Sequence, residues 1–308
     1  MPTEQSILAA KRPCLELRCQ VIQAIRSFFS ESGFLEVQTP VRTPAPAPEL
    51  YIDAIAASGW FLSTSPELHM KRLLAAGYEK IFQLASAFRA GERGRLHHPE
   101  FTLLEWYRLG ADYNALQADC RMLLETVCGH VAKSEGFWSQ GKWLEVNGNW
   151  QRLPVRDAFR RFAGRELDVP PDADRFDADL VEKVEPNLGI PHPAFLVDYP
   201  ASQAALARLK AGAPTVAERF ELYWAGIELA NGFSELTDPE EQRERFLTTN
   251  EARREAGRVV YPPADAFLRS LRHLQPCAGI ALGVDRLVLI LADAADLDQV
   301  VAFPPEMA

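Results

Sequence analysis

The sequence predicts an α+β fold in which helices flank an antiparallel sheet. Three observations carry this expectation. Runs with strand character recur along the chain, helical periodicity appears between and outside them, and no regular strand–helix–strand rhythm connects them. With 47% hydrophobic residues in 308, the chain has the material for a large buried core.

Taken in order, residues 15–31 place Leu15, Leu17, Val21, Ile22, Ile25, Phe28 and Phe29 on one face of a helix. Gly33 stops it, and Phe34, Leu35 and Val37 read as a short strand. Four prolines in the nine residues from Pro40 to Pro48 remove backbone donors and predict an extended loop. Residues 60–64 read as a strand. Ser65-Pro66-Glu67 then opens a helix whose apolar face is Leu68, Met70, Leu73 and Leu74. Residues 80–88 and 101–107 are strands joined by a polar loop over 89–100, and residues 113–133 are a helix. Residues 142–215 mix short strands and turns with a helix near 156–163. Residues 217–236 form a hairpin turning near Trp224–Gly226, and a charged helix covers 238–257. Residues 278–292 read as strand, glycine turn and helix.

Composition narrows the function. Acidic residues exceed basic ones, 33 − 42 = −9, which disfavours bulk nucleic acid as a stable partner. The 5 cysteines contain no CxxC pair, so reduced thiols and a cytoplasmic location are expected. The start of the chain has no apolar leader segment. The apolar stretch 278–292 carries Asp285 and Arg286 at its middle, so no membrane association is expected.

Three segments could carry chemistry. If the hairpin turns on Trp224 and Ala225, Glu221 and Glu228 oppose one another on one face, where a divalent cation such as Mg2+ would relieve their repulsion. A solvated polar face accounts for the same pair. Asn231, Phe233 and Glu235 share a face by period two and would suit a cationic amine. In the 89–98 loop, Arg89, Arg93, Arg95, His97 and His98 gather positive charge within an acidic chain, as a polyphosphate requires, although a charged surface loop reads the same way. Adjacent histidines on a strand point oppositely, so a transition metal is not expected there. Finally, Gly279 and Gly283 allow close approach of a ligand to the backbone just before Arg286, at a helix start.

In this order the segments resemble the three signature motifs of class II aminoacyl-tRNA synthetases, at about 15–40, 85–107 and 279–292. More narrowly, STSPELHMKRLLAAGYEKIFQLASAFR, HHPEFTLLEWYR, GIELANGFSELTD and GIALGVDRL resemble the catalytic domain of lysyl-tRNA synthetases. The likeness implies the class II catalytic fold as a single domain over 1–308. It also implies a homodimer formed through the first motif. The first-motif helix begins near residue 15, which leaves no length for an anticodon-binding domain. ASQAAL at 201–206, ELANGFSELTD at 228–238 and Ala281, where lysyl-tRNA synthetases typically have Gly, resemble the elongation factor P–(R)-β-lysine ligase family.

That resemblance implies ATP-dependent activation of (R)-β-lysine, or lysine, and its transfer to a lysine side chain of elongation factor P. Arg89, Arg286 and Glu228 would be catalytic. ATP would meet Arg89, Ala90, Gly91, His98, Phe101, Glu228, Leu229, Gly283 and Arg286, with adenine stacked on Phe101. The lysine-like substrate would lie among Ser65, Pro66, Glu67, Glu105, Tyr107, Asn231, Phe233 and Glu235, and Glu221 with Glu228 would hold Mg2+. The chain departs from the usual pattern at three places. Arg-Asn-Glu is replaced by Arg89-Ala90-Gly91, which displaces the carboxylate to Glu92. His98 stands where Asn is usual, and Ser234 where the ligases commonly have His. A lysyl-tRNA synthetase-like enzyme and a non-catalytic paralogue of the same fold are the competing readings.

Overall fold

The structure is a computed structural model and describes residues 3–308. Its centre is a nine-stranded sheet. The strands lie side by side in the order Leu35–Glu36, Lys80–Phe88, Glu100–Leu109, Cys277–Gly283, Ile227–Ser234, Ala213–Trp224, Ala194–Pro200 and Gln151–Pro154, with Leu209–Lys210 added beside Ala213–Trp224. The interior pairings are antiparallel, as expected. The two outer ones, Leu35–Glu36 with Lys80–Phe88 and Gln151–Pro154 with Ala194–Pro200, are parallel. About forty residues separate each parallel pair in sequence, which is ample for a crossover.

Helix Arg12–Glu31 covers one face of the sheet. It buries Val21, Ala24, Ile25, Phe28 and Phe29, the face read from periodicity. Phe29 stacks on Phe82 at 4.7 Å between ring centroids and meets Trp106 at 5.2 Å. Each such side chain contributes roughly 1.5–3 kcal/mol by leaving water. Gly33 ends the helix with φ +77, and the next amide, on Phe34, returns to the Phe29 carbonyl at 2.9 Å. Helix Tyr113–His130 packs beside it and begins at Asp112, whose side chain accepts from the Asn114 and Ala115 amides.

Three expectations need correction. The extended 40–48 segment is not wholly unpaired, because Arg42–Thr43 joins Trp60–Leu62 in a small second sheet. There is no turn between the last strand and its helix. Cys277–Gly283 runs directly into Val284–Leu291, with Gly283 as the capping residue, so the motif stays in one rigid line. The third correction concerns the hairpin. Its two turn residues are Ala225 and Gly226, with φ of 58 and 77, the left-handed pair that matches strand twist. Trp224 therefore pairs with Ile227 and Tyr223 with Glu228. The register then shifts, so that Leu222 faces Ala230 and Glu221 faces Asn231. Leu229 is the extra residue of a bulge, and Glu221 and Glu228 are diagonal neighbours rather than direct partners.

The cysteines are free thiols, and among the described residues no helix is long and apolar enough to cross a membrane.

Candidate active site

A cavity of about 230 Å³ opens where the 88–101 loop, the hairpin and the last strand meet, and Glu49 and Ile52 of the proline-rich segment close one side. A larger cleft of about 660 Å³ lies between the N-terminal helix and the C-terminal tail, but no arginine lines it among the described residues.

The charged walls of the smaller cavity come from distant parts of the chain. The Arg89 guanidinium lies over the Phe101 ring at 5.0 Å, and among the described residues its buried Nε has no protein partner. A buried donor left unmatched is expensive, so it marks where an anionic ligand fits. Arg286 donates from Nη1 to the Glu228 carbonyl at 2.8 Å and carboxylate at 3.1 Å, and from Nη2 to His97 Nε2 at 2.8 Å. Burial, then Arg286 itself, lowers the His97 pKa, which keeps the ring a neutral acceptor. Arg286 is thus turned to Glu228 and His97, and the guanidinium on Phe101 is that of Arg89. Beneath the cavity, Asp285 pairs with Arg18 and accepts from the Thr102 amide at 2.9 Å. That contact ties the first-motif helix to the other two motifs.

Not every residue expected at the nucleotide reaches this cavity. Ala90 and Gly91 are off its wall. The Ala90 amide serves the Asp53 carbonyl at 2.7 Å, and Gly91 occupies an exposed turn with φ +77. The displaced carboxylate returns instead, since Glu92 lines the cavity with Arg89 at 3.8 Å. Leu229 packs in the core, so its share of the wall is backbone. Gly283 has ordinary φ, and a Cβ there would meet only Arg286, at 3.6 Å. Gly279 is different. A Cβ would come within 2.1 Å of Tyr107 and 2.4 Å of Glu235, so this glycine admits those two side chains rather than a ligand.

Behind the cavity lies a closed nest of carboxylates. Ser65 donates to Glu105 Oε1 at 2.6 Å and Tyr107 to Oε2 at 2.8 Å, while the Ser65 hydroxyl also accepts the Glu67 amide at 3.0 Å. Pro66 is the buried residue that caps helix Glu67–Ala75. Burial, with Glu67 nearby, pushes the Glu105 carboxyl up to about 7. Lys71, which the motif reading passed over, is fully buried and ion-paired with both Glu67 and Glu235. Burial alone would lower its pKa, but Glu235 and Glu67 raise it instead. Its ammonium also lies 5.4 Å from the centre of the Phe233 ring. Glu67 and Glu235 thus share one internal cation, with Glu105 beside them on Ser65 and Tyr107. Burial, only partly offset by Lys71, pushes the Glu235 carboxyl up to about 8, and acids that outnumber the internal cation suit a further ammonium group. The signal for Lys71 was a lysine on the apolar side of an amphipathic helix, one turn after Glu67.

The hairpin carboxylates are unequal. Glu221 is buried and accepts from Tyr199, from Tyr223 at 2.6 Å, from Arg219 at 2.7 Å and from Asn231 at 3.3 Å. Burial, then Glu228, raises its pKa. Glu185, also missed, sits 3.1 Å from the Tyr223 hydroxyl and is pushed up to about 7 by burial and then by Glu228 and Glu221. Mutual repulsion among these acids fits a divalent cation. Glu221 is already taken by four protein donors and Glu228 by Arg286, and among the described residues no three acidic, histidine or cysteine ligands surround one point, so a cation here would displace some of these partners and take its remaining ligands from phosphate and water.

Two other residues make sense only in three dimensions. Buried Arg253 donates to the carbonyls of Ile52 at 2.9 Å and Val259 at 2.7 Å and to Asp53 at 2.7 Å, and so pins the segment that carries Glu49. Ser234 accepts the Tyr113 amide at 2.9 Å and supports a helix start rather than a ligand.

Residues 9–307 match the family model described as tRNA synthetases class II (D, K and N). The chain is 40% identical to a Vibrio cholerae protein named elongation factor P–(R)-β-lysine ligase, with 94% of each chain covered. It is 42% identical, with the same coverage, to the protein of that name from Pectobacterium carotovorum. A third so named, from Hamiltonella defensa, is 39% identical over 94% of each chain.

Proposed function

The chain belongs to the family of class II tRNA synthetases of the D, K and N group, and from that premise we propose that it activates a lysine-like amino acid with ATP and passes it to a lysine side chain of elongation factor P. One observation carries the reading. A cation-and-ring cavity and a closed carboxylate nest share the strands Glu100–Leu109 and Cys277–Gly283, as a substrate with an ammonium at one end and a reacting carboxylate at the other requires. The names of the relatives support (R)-β-lysine as the amino acid and elongation factor P as the acceptor.

In the first step the substrate carboxylate attacks the α-phosphorus of ATP in line and pyrophosphate leaves. In the second, the acceptor amine attacks the acyl carbon of the adenylate, forming an amide and releasing AMP. Neither step needs a protein nucleophile, so catalysis rests on position and charge. Arg89 meets the α-phosphate, with its unmatched Nε as the ready donor. Phe101 stacks on adenine, the backbone at His98 and Leu229 borders the nucleotide, and Gly283 gives it room. Arg286 exchanges its pairing with Glu228 for phosphate oxygens. Glu67, Glu105, Tyr107 and Glu235 receive ammonium groups, while Asn231 and Phe233 form the wall between the two ends. Glu221 and Glu228 would hold Mg2+, which supplies charge neutralisation of the phosphates when bound. We place the enzyme in the cytoplasm as a homodimer formed through helix Arg12–Glu31.

Mass spectrometry of purified elongation factor P, after incubation with this protein, ATP and (R)-β-lysine, tests the reading. A mass gain equal to one acyl group is expected. The family's description as tRNA synthetases favours one second reading. An unmodified factor, alongside lysine attached to tRNA, would transfer the assignment there.

A further inference from the structure

The loop that carries the expected ATP contacts does not stand alone. His98 is 3% exposed, and its Nε2 lies 2.8 Å from Asp298 Oδ1. A carboxylate accepts, so Nε2 carries the proton in this pair. The other oxygen, Oδ2, accepts from Arg93 Nη2 at 2.9 Å. Arg93 also donates to both carboxylate oxygens of Glu306, at 2.8 and 2.9 Å. Backbone continues the contact, because the Leu297 amide donates to the Arg95 carbonyl at 3.0 Å, and Leu297 itself lines the nucleotide cavity. Hydrogen bonds from Arg93 and His98 outweigh burial and hold the Asp298 carboxyl below its ordinary value, so it is ionised at neutral pH. The final residues of the chain therefore run along the 93–98 loop, and one carboxylate grips it at two points.

We propose that Asp298 is a positioning residue for nucleotide binding. It touches neither substrate but fixes His98 and Arg93, and through them the loop that runs from Arg89 to the strand carrying Phe101, the two residues that meet ATP. A buried imidazole at position 98 needs an acceptor, which the tail provides. Without Asp298, a buried N–H is stranded beside the adenine site, and the loop keeps only its backbone contact at Arg95 and the exposed Arg93–Glu306 pair as ties to the tail. Glu306 grips Arg93 alone, and its side chain is 63% exposed, so its share is small.

The proposal rests on the nucleotide reading above, and the test separates the two. ATP binding to the full-length protein is measured by calorimetry, and ATP–pyrophosphate exchange is measured with the amino substrate. Asp298→Ala is expected to weaken ATP binding and raise its KM by about tenfold, with kcat and the KM of the amino substrate changed by less than about twofold. Asp298→Asn, whose amide oxygen still accepts from His98, should recover most of the loss. In a His98→Asn background the Asp298→Ala penalty should shrink to about twofold or less, because no imidazole remains to be stranded. Glu306→Ala should stay within about twofold of the parent. A parent protein that fails to bind ATP would overturn the nucleotide reading and this proposal together. Binding by the parent with an unchanged Asp298→Ala variant would overturn this proposal alone. So would an equal loss of kcat and of affinity for both substrates with a lowered Tm, since that pattern means general destabilisation.

Discussion

The two ends of the active site solve opposite electrostatic problems. The nucleotide end is open, and its two arginines are held by groups on the cavity rim: among the described residues Arg89 keeps a buried Nε without a protein partner, while Arg286, 20% exposed, rests on Glu228 and His97. The amino-substrate end is closed, and its carboxylates are already partly neutralised from within by Lys71. An incoming polyphosphate brings enough charge to draw these half-buried arginines from their carboxylate partners. Two buried carboxylates and the half-buried Glu67, without any cation, would repel one another and destabilise the fold before substrate arrived. The difference teaches that one pocket was built for binding strength and the other first for survival in the folded state.

Removing the cation from each end is the sharpest way to break this comparison. Lys71→Met should destabilise the protein by roughly 3–5 kcal/mol, because Glu235 is left fully buried, and Glu67 half-buried, without their partner. Urea unfolding measures it, and a loss below about 1 kcal/mol would show that the nest does not depend on Lys71. Arg89→Ala should instead leave the urea midpoint near that of the parent while lowering ATP–pyrophosphate exchange by about 10²–10³-fold, or about 2.7–4 kcal/mol. Unchanged exchange would remove Arg89 from the chemistry.

The pH dependence sharpens the contrast with a smaller effect. Glu105 titrates near 7 in the folded protein against an ordinary 4.5. Below about 7 it is a neutral acid that cannot pair with an ammonium, and above it is a carboxylate that can. Glu235, pushed up to about 8 by burial, titrates just above it, so the KM of the amino substrate should fall by about tenfold between roughly pH 6 and 8, and Glu105→Gln should flatten the lower part of that limb. The sign for stability is opposite. Between about 4.5 and 7 the folded chain holds a proton that the unfolded chain has lost, so this group's contribution falls as pH rises through that window. A KM that rises across the same range would contradict the role given to Glu105.

Much of the fold was legible because its signals are local. The Val21–Phe29 face, the strands at 80–88 and 101–107, the helix after residue 112 and the glycine-bearing last motif can each be read within a few turns of chain. The hairpin register was not legible. A bulge at Leu229 adds one residue to one strand, and counting from the turn cannot detect it. Nor could the motif show that Gly279 serves Tyr107 and Glu235, because that reason is a clearance between three strands.

By itself the sequence determined which chemical groups this protein carries and in what order: arginines and an aromatic ring on one loop, acids on a hairpin, a glycine-flanked arginine at a helix start. Residue type and spacing are properties of neighbours along a chain, so they survive without coordinates. Only the tertiary structure decided how those charges are matched. Lys71 against Glu235, Arg253 against Asp53 and Asp298 against His98 join positions 164 to 200 residues apart. Such pairs depend on burial and register, which the folded sheet sets and no local pattern records.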